Sequence, residues 1–112
     1  MPALSATVSS IASAIVTEAG KAGGQLWSEI QNAARLYVKG YAQALIDISR
    51  AVASGDMTVD EGANSARAAS FFFHMMVAQA TQATLNAIQR FFDAVMGAVK
   101  GSINAALPIP IL

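Results

Sequence analysis

The sequence contains no cysteine, and this absence excludes several kinds of site at once. Disulfide frameworks, cysteine-based zinc sites and thiol nucleophiles all need that residue. His74 is the only histidine, and neither an E-x-x-H nor an H-E-x-x-H spacing surrounds it. The sequence therefore predicts no metal site.

Charge is also scarce. Charged residues make up 12% of the chain and hydrophobic residues 54%, whereas a typical soluble domain is about 25% charged. Seven basic and seven acidic residues cancel, so the chain has no basic surface for nucleic acid and identical copies would not repel one another. This composition favours a helical protein that buries most of its surface, with partners or lipid covering the rest.

No lysine or arginine precedes the first apolar segment, and that segment is rich in serine and threonine. A secretory signal peptide needs a basic start and a more apolar centre, so none is predicted. We expect the protein to lie in the cytoplasm or within an assembled particle.

The clearest local signal is the segment SGDMTVDEG. Thr58 and Glu61 have the T-x-x-E spacing of a capping box, in which the hydroxyl accepts from the third helical amide and the carboxylate reaches back. Asp60 and Glu61 would also lie in the first turn, where the helix dipole favours negative charge. One helix is therefore predicted to end near Ser54 and another to begin near Val59.

Charged side chains follow one face of the helix predicted before that turn. At about 100° per residue they all fall within an arc of about 120°. They are Glu18, Lys21, Glu29, Arg35, Lys39, Asp47 and Arg50. The remaining two thirds of the circumference is apolar, which is wider than the apolar stripe of an ordinary surface helix.

A shorter amphipathic helix is predicted over about residues 3–19. Its apolar stripe is rotated by about a quarter turn from the apolar centre of the next helix. The stripe consists of Leu4, Val8, Ile11 and Ile15. Three glycines between residues 20 and 24 lie at the discontinuity, and each costs about 1 kcal/mol inside a helix. We expect a kink or break there.

The pattern after the capping box continues to about residue 105 without a proline, and Pro108 and Pro110 then stop it. The tail LPIPIL is predicted to be extended and to dock against a protein surface. The polar arc of this last helix is mostly amide. Its members are Asn64, Gln79, Gln82, Asn86, Gln89, Asp93, Lys100 and Asn104.

The predicted fold class is all-α in a single domain over residues 1–112. It is a long antiparallel helical hairpin, about residues 25–54 and 58–105, preceded by the short helix and completed by oligomerisation. Oligomerisation is expected because a hairpin cannot cover two apolar arcs of about 240° each. The remainder would exceed the few hundred Å² of apolar patch that soluble monomers usually expose.

The segment FFFHMM, residues 71–76, directs bulky side chains in almost every direction around its helix, at about 100° per residue. Such a segment needs neighbours on all sides, so we expect it to form the core of the assembly with the other large aromatic residues. The predicted interface residues are Phe71, Phe72, Phe73, His74, Met76, Phe91, Phe92, Trp27 and Tyr41. A change of Phe73 to Asp is expected to disperse the assembly.

His74 is the one residue that titrates near neutrality. It could pair with Met75 or Met76 on a haem iron, but adjacent helical residues point about 100° apart, and no C-x-x-C-H motif is present. The carboxylates are accounted for by capping or by a solvated face. We therefore expect no enzyme and no catalytic or cofactor-binding residue. A small cofactor-carrying helical bundle is the third hypothesis.

Residues 68–89 carry no Asp, Glu, Lys or Arg, and a segment of this length could cross a bilayer. Its amide side chains would be costly in hydrocarbon. A ring of copies could instead turn the amides toward a water-filled lumen. A holin-like or toxin-like pore former that inserts in a membrane is therefore the alternative hypothesis.

The sequence favours a structural function: a non-enzymatic subunit that associates with itself to build a ring, tube, shell or bundle. Its small size, low charge and apolar tail fit a component of a phage particle. The expected partners are further copies of the chain and other assembly proteins, with no nucleic acid.

Overall fold

The structure, a computed structural model, describes residues 7–112. Four α-helices account for most of this part of the chain: α1 (Val8–Ala22), α2 (Gly24–Ala53), α3 (Val59–Ala80) and α4 (Leu85–Ala106). Residues 7–112 contain no β-strand, so the all-α prediction is confirmed. The beginning of the predicted first helix, residues 3–6, lies outside the described residues.

Helix α1 begins and ends where local chemistry favours a boundary. The Thr7 hydroxyl accepts a hydrogen bond from the Ser10 amide at 3.1 Å, and the Ser10 hydroxyl accepts one from the Thr7 amide at 3.2 Å. At the other end Gly23 has φ +60° and Gly24 has φ +84°, values that favour glycine. The predicted break between residues 20 and 24 is thus confirmed, and α1 extends to Ala22.

The capping box at the start of α3 is confirmed. The Glu61 amide donates to the Thr58 hydroxyl at 3.1 Å, and the Thr58 amide donates to Glu61 Oε1 at 2.9 Å. These hydrogen bonds with Thr58 lower the pKa of the Glu61 carboxyl. Gly55, at φ +85°, turns the chain between α2 and α3.

The prediction of one continuous helix over residues 58–105 is wrong, because residues 81–84 are not helical and separate α3 from α4. Thr81 is extended, with φ −133°, and its hydroxyl donates back to the Val77 carbonyl at 2.9 Å. Thr84 then caps α4 by accepting from the Ala87 amide at 3.2 Å. The predicted amide arc is therefore divided between two helices.

The break allows α4 to fold back and complete a ring of four helices. Each helix packs against the next in sequence, and α4 also packs against α1. The Cα radius of gyration is 13.6 Å, close to the value of about 13 Å expected for a compact domain of this length. One copy therefore covers more apolar surface than the predicted hairpin would.

The core runs through all four helices and includes the C-terminal tail. Its large members have little or no exposed surface. They include Ile11, Ile15, Trp27, Ile30, Val38, Tyr41, Leu45, Phe73, Val77, Ile88, Phe92, Val95, Ile103, Leu107 and Ile111. The large hydrophobic residues that remain exposed among residues 7–112 are Leu36, Val59, Phe71 and Phe72.

The apolar tail docks on its own chain. The buried Ser49 of α2 forms two hydrogen bonds with the backbone of Ile109. The Asn104 side chain accepts from the Ile111 and Leu112 amides and donates to the Leu112 carbonyl. The tail thus covers one end of the core.

Candidate functional site

The segment FFFHMM divides between the interior and the surface. Phe73 and His74 point inward and are 2% and 3% exposed, whereas Phe71 and Phe72 are 46% and 60% exposed. Met76 is half-buried. The segment therefore belongs partly to the core of one copy and partly to its surface.

The inward part forms an aromatic cluster that joins three helices. The Phe73 ring stacks on Tyr41 of α2 with centroids 5.4 Å apart, and it tilts against Phe92 of α4 at 4.9 Å. The His74 ring stacks on Phe92 at 5.5 Å. The bulky side chains on this side of α3 therefore pack against other residues of the same chain.

Trp27 and Phe91 extend the aromatic cluster toward α1. Their rings are stacked with centroids 6.0 Å apart, and Phe91 meets Phe92 edge to face at 5.1 Å. Arg35 covers Trp27, with its guanidinium carbon 5.7 Å from the ring centroid. Of the predicted interface residues, the following are buried in the core of the single chain: Trp27, Tyr41, Phe73, His74 and Phe92.

The outward part of the segment borders an apolar groove between α2 and α3, which we call the α2–α3 groove. Its volume is about 330 Å³, and no charged residue lines it. The lining residues are Leu36, Tyr37, Gly40, Tyr41, Ala44, Ala69, Phe72, Phe73 and Met76. Leu36 on one helix is 68% exposed and Phe72 on the other is 60% exposed.

Leu36 is the residue of this groove that the sequence-based interface prediction missed. It follows Glu29 by seven residues and precedes Asp47 by eleven, which places it within about 20° of both on a helical wheel. A leucine within a charged arc indicates an exposed apolar side chain that can contact a partner. The more numerous apolar residues on the opposite side of the helix dominate the pattern.

His74 is enclosed by the aromatic cluster and has an unpartnered atom. Among residues 7–112, no group forms a hydrogen bond with its buried Nε2. Burial lowers the pKa of the imidazole, and the negative charge of Asp93 opposes that shift. The side chain is therefore neutral at pH 7.

Tyr41 lies at the base of the α2–α3 groove and is almost wholly buried. Burial raises the pKa of its hydroxyl to about 12, although a hydrogen bond with Ser70 opposes the increase. The phenol stays protonated at physiological pH. Tyr41 thus links α2 to α3 through its ring contact with Phe73.

The structure bears on metal binding and on membrane insertion. In the part of the chain that the structure describes, no cluster of three or more His, Cys, Asp or Glu side chains is arranged to hold a metal ion. Over the same residues, none of the helices combines the length and hydropathy needed to span a membrane.

The chain matches no protein-family model, and no curated protein or solved structure shows significant similarity to it.

Proposed function

We propose that this protein is a self-associating helical subunit of a larger assembly, and that copies meet through the α2–α3 groove. One observation carries the proposal. Leu36 and Phe72 stand on neighbouring helices, 68% and 60% exposed, at the rim of a groove without a charged lining residue. Large apolar side chains grouped beside an apolar groove are typical of interaction surfaces.

A second copy of the chain is the occupant that fits this groove. The exposed Phe72 ring and the cavity beside it belong to the same patch, so a two-fold axis would place each ring at the groove of the other copy. The net charge is zero, so two copies approach without long-range repulsion. Burying both phenylalanines would remove large apolar surfaces from water.

The free energy available from this patch predicts weak, concentration-dependent association. Full burial of a Phe or Leu side chain contributes about 1.5 to 3 kcal/mol. Because these residues are about two thirds exposed, four of them across a two-fold interface contribute about 4 to 8 kcal/mol. Association costs at least about 4 kcal/mol. Because the net gain is then at most about 4 kcal/mol, these four residues alone predict a dissociation constant of about 1 mM or weaker, and tighter association needs further contacts.

A two-fold contact closes a dimer, so a ring, tube or shell needs a second surface. Phe71 lies about 100° around α3 from Phe72 and is 46% exposed, so it offers an apolar starting point for such a contact. We keep a particle of the phage type as the proposed setting, which the small size and low charge of the chain support. The proposed role is structural and not catalytic.

The absence of cysteine permits a direct test with one introduced thiol. At Gly40 an added Cβ has no atom within 4 Å, and the residue lines the α2–α3 groove. The maleimide labelling rate of a Gly40→Cys variant should fall as the concentration of protein rises, because association covers the groove.

Gly101→Cys is the matched control, because Gly101 is also exposed and open but lies on α4, outside the groove. Its labelling rate should not depend on protein concentration. A Gly40→Cys rate that is independent of concentration would contradict the proposal. Protection by liposomes in place of protein would show that lipid, and not a second copy, covers the groove.

A further inference from the structure

A second cavity lies on the other side of α3, between α3 and α4, with a volume of about 590 Å³. Its walls come from these two helices, Tyr41 of α2 contributes to the lining, and the C-terminal tail borders it. We propose that this α3–α4 cavity binds a single-chain amphiphile with an anionic head group, such as a medium-chain fatty acid. The volume is within the range of about 300 to 1,000 Å³ that small-molecule sites occupy.

Two cations mark the position of the head group. Arg67 of α3 and Lys100 of α4 both line the cavity. The ring contact between His74 and Phe92 sets the alignment of the two antiparallel helices. Arg67 precedes His74 by seven residues and Lys100 follows Phe92 by eight, so at about 1.5 Å per residue the two cations lie at nearly the same level.

These two cations outnumber the one acidic side chain that lines the cavity, Asp93. Within the described part of the chain, neither Arg67 nor Lys100 takes part in an ion pair. Arg67 donates to the neutral Asn64 side chain at 2.8 Å. Two like charges on facing walls repel each other, and an anion between them would replace that repulsion with two charge-assisted hydrogen bonds.

Asp93 is the third charged residue of the cavity. It precedes Lys100 by seven residues on α4, a separation of about 10 Å along the helix. Its negative charge also acts on His74, which follows Arg67 by seven residues on α3. The part of the cavity between Arg67 and Lys100 therefore keeps an excess of positive charge.

The other end of the cavity is apolar. Val59, Ala63 and Ile111 line it, and Val59 is 56% exposed although it is a large hydrophobic residue. Val59 lies eight residues from Arg67, a distance of about 12 Å along α3 that suits a chain of about eight to ten carbons. An inorganic anion would leave this apolar end uncovered, so an amphiphile fits better than phosphate.

Two glycines of α4 provide a matched test of occupancy. Gly97 lines the cavity and Gly101 does not, and an added Cβ meets no atom within 4 Å at either position. The measurement is calorimetric titration of the full chain with sodium decanoate below its micelle concentration. Gly97→Leu should abolish binding because the new side chain fills the cavity, whereas Gly101→Leu should bind as the unaltered chain does.

The charge assignment is tested with a second pair of variants. Arg67→Gln combined with Lys100→Gln should weaken decanoate binding at least tenfold. Lys39→Gln combined with Arg50→Gln removes two exposed cations of α2 outside the cavity. This control should leave decanoate binding unchanged. Decanol, which has no charge, should bind more weakly than decanoate to the unaltered chain. Lysophosphatidylglycerol as a third titrant distinguishes a lipid source from a free fatty acid.

Absence of decanoate binding to the unaltered chain would overturn the proposal, and so would equal binding by all variants. The α3–α4 cavity and the α2–α3 groove share only the buried Tyr41. Association measured without decanoate therefore tests the proposed function separately from this inference.

Discussion

Ser49 and Ile109 are 60 positions apart in sequence and are joined by two hydrogen bonds. The Ser49 hydroxyl donates to the Ile109 carbonyl at 2.8 Å and accepts from the Ile109 amide at 2.9 Å. Ser49 has no exposed surface. One hydroxyl therefore satisfies both backbone groups of a tail residue that no longer belongs to a helix, and it holds the tail against the end of α2.

Replacing Ser49 with Ala should destabilise the protein by about 1 to 3 kcal/mol, because the Ile109 amide and carbonyl lose their partner in a partly buried place. Urea denaturation measures the change. Ser28→Ala, on the exposed face of α2, should alter the free energy of unfolding by less than about 0.5 kcal/mol. Equal effects of the two substitutions would show that the bonds to the tail contribute nothing.

Gly62 allows α3 to approach α2 closely. An added Cβ would lie 2.6 Å from Cγ2 of Val52 and 3.5 Å from Cγ2 of Ile111. Gly62→Ala should therefore be less stable than Gly101→Ala by about 1 to 3 kcal/mol, although both gain helix propensity. Thermal unfolding compares the two. Adding Val52→Ala should restore much of the loss, and no rescue would mean that the crowding lies elsewhere.

Substitutions of Phe72 and Phe73 should differ sharply in their effect on stability, although the two residues are adjacent. Phe73→Ala removes the centre of the aromatic cluster and should cost about 3 to 5 kcal/mol of stability. Phe72→Ala, at a site 60% exposed, should change stability by less than about 0.5 kcal/mol. We accordingly expect Phe73→Asp to unfold the chain, and not simply to disperse an assembly. Circular dichroism during urea denaturation measures both, and similar losses at the two sites would contradict this placement.

His74 should make stability depend on pH near neutrality. Burial lowers its pKa in the folded chain, so the unfolded chain binds more protons between that lowered pKa and about 6.5. The free energy of unfolding should therefore fall as pH decreases from about 7 through this interval, by at most about 1.4 kcal/mol per pH unit. No other histidine exists, so His74→Gln should flatten the profile. An unchanged slope in that variant would assign the effect to another group.

Two helix boundaries could be predicted because each has two local signals. Thr58 and Glu61 form a reciprocal pair, and the glycines at residues 20–24 include two with positive φ. The break at residues 81–84 has only one such signal, because the residue three positions after Thr84 is an alanine and cannot return the hydrogen bond. No glycine or proline marks it either. The turn allows α4 to pack against α1. Because α1 is distant in sequence, local signals do not reveal this contact.

The aromatic residues were identified from the sequence, but their side of the molecule was not. In a single continuous helix over residues 58–105, Phe73 and Phe92 have too few neighbours within the chain, so the sequence predicts an interface for both. In the structure the two rings meet each other at 4.9 Å. Which residues line the α2–α3 groove depends on how the two helices pack against each other. The hydrophobic pattern of a single helix does not contain this information.

The most direct test of the central claim is the molar mass of the protein in solution. Light scattering without detergent, at protein concentrations up to the millimolar range, should show a mass above 11.6 kDa that rises with concentration. The combined change Leu36→Ser and Phe72→Ser should give the monomer mass at every concentration. The same change should preserve the helical circular dichroism spectrum. A monomeric unaltered chain at all concentrations, or an oligomer that these changes leave intact, would contradict association through the α2–α3 groove.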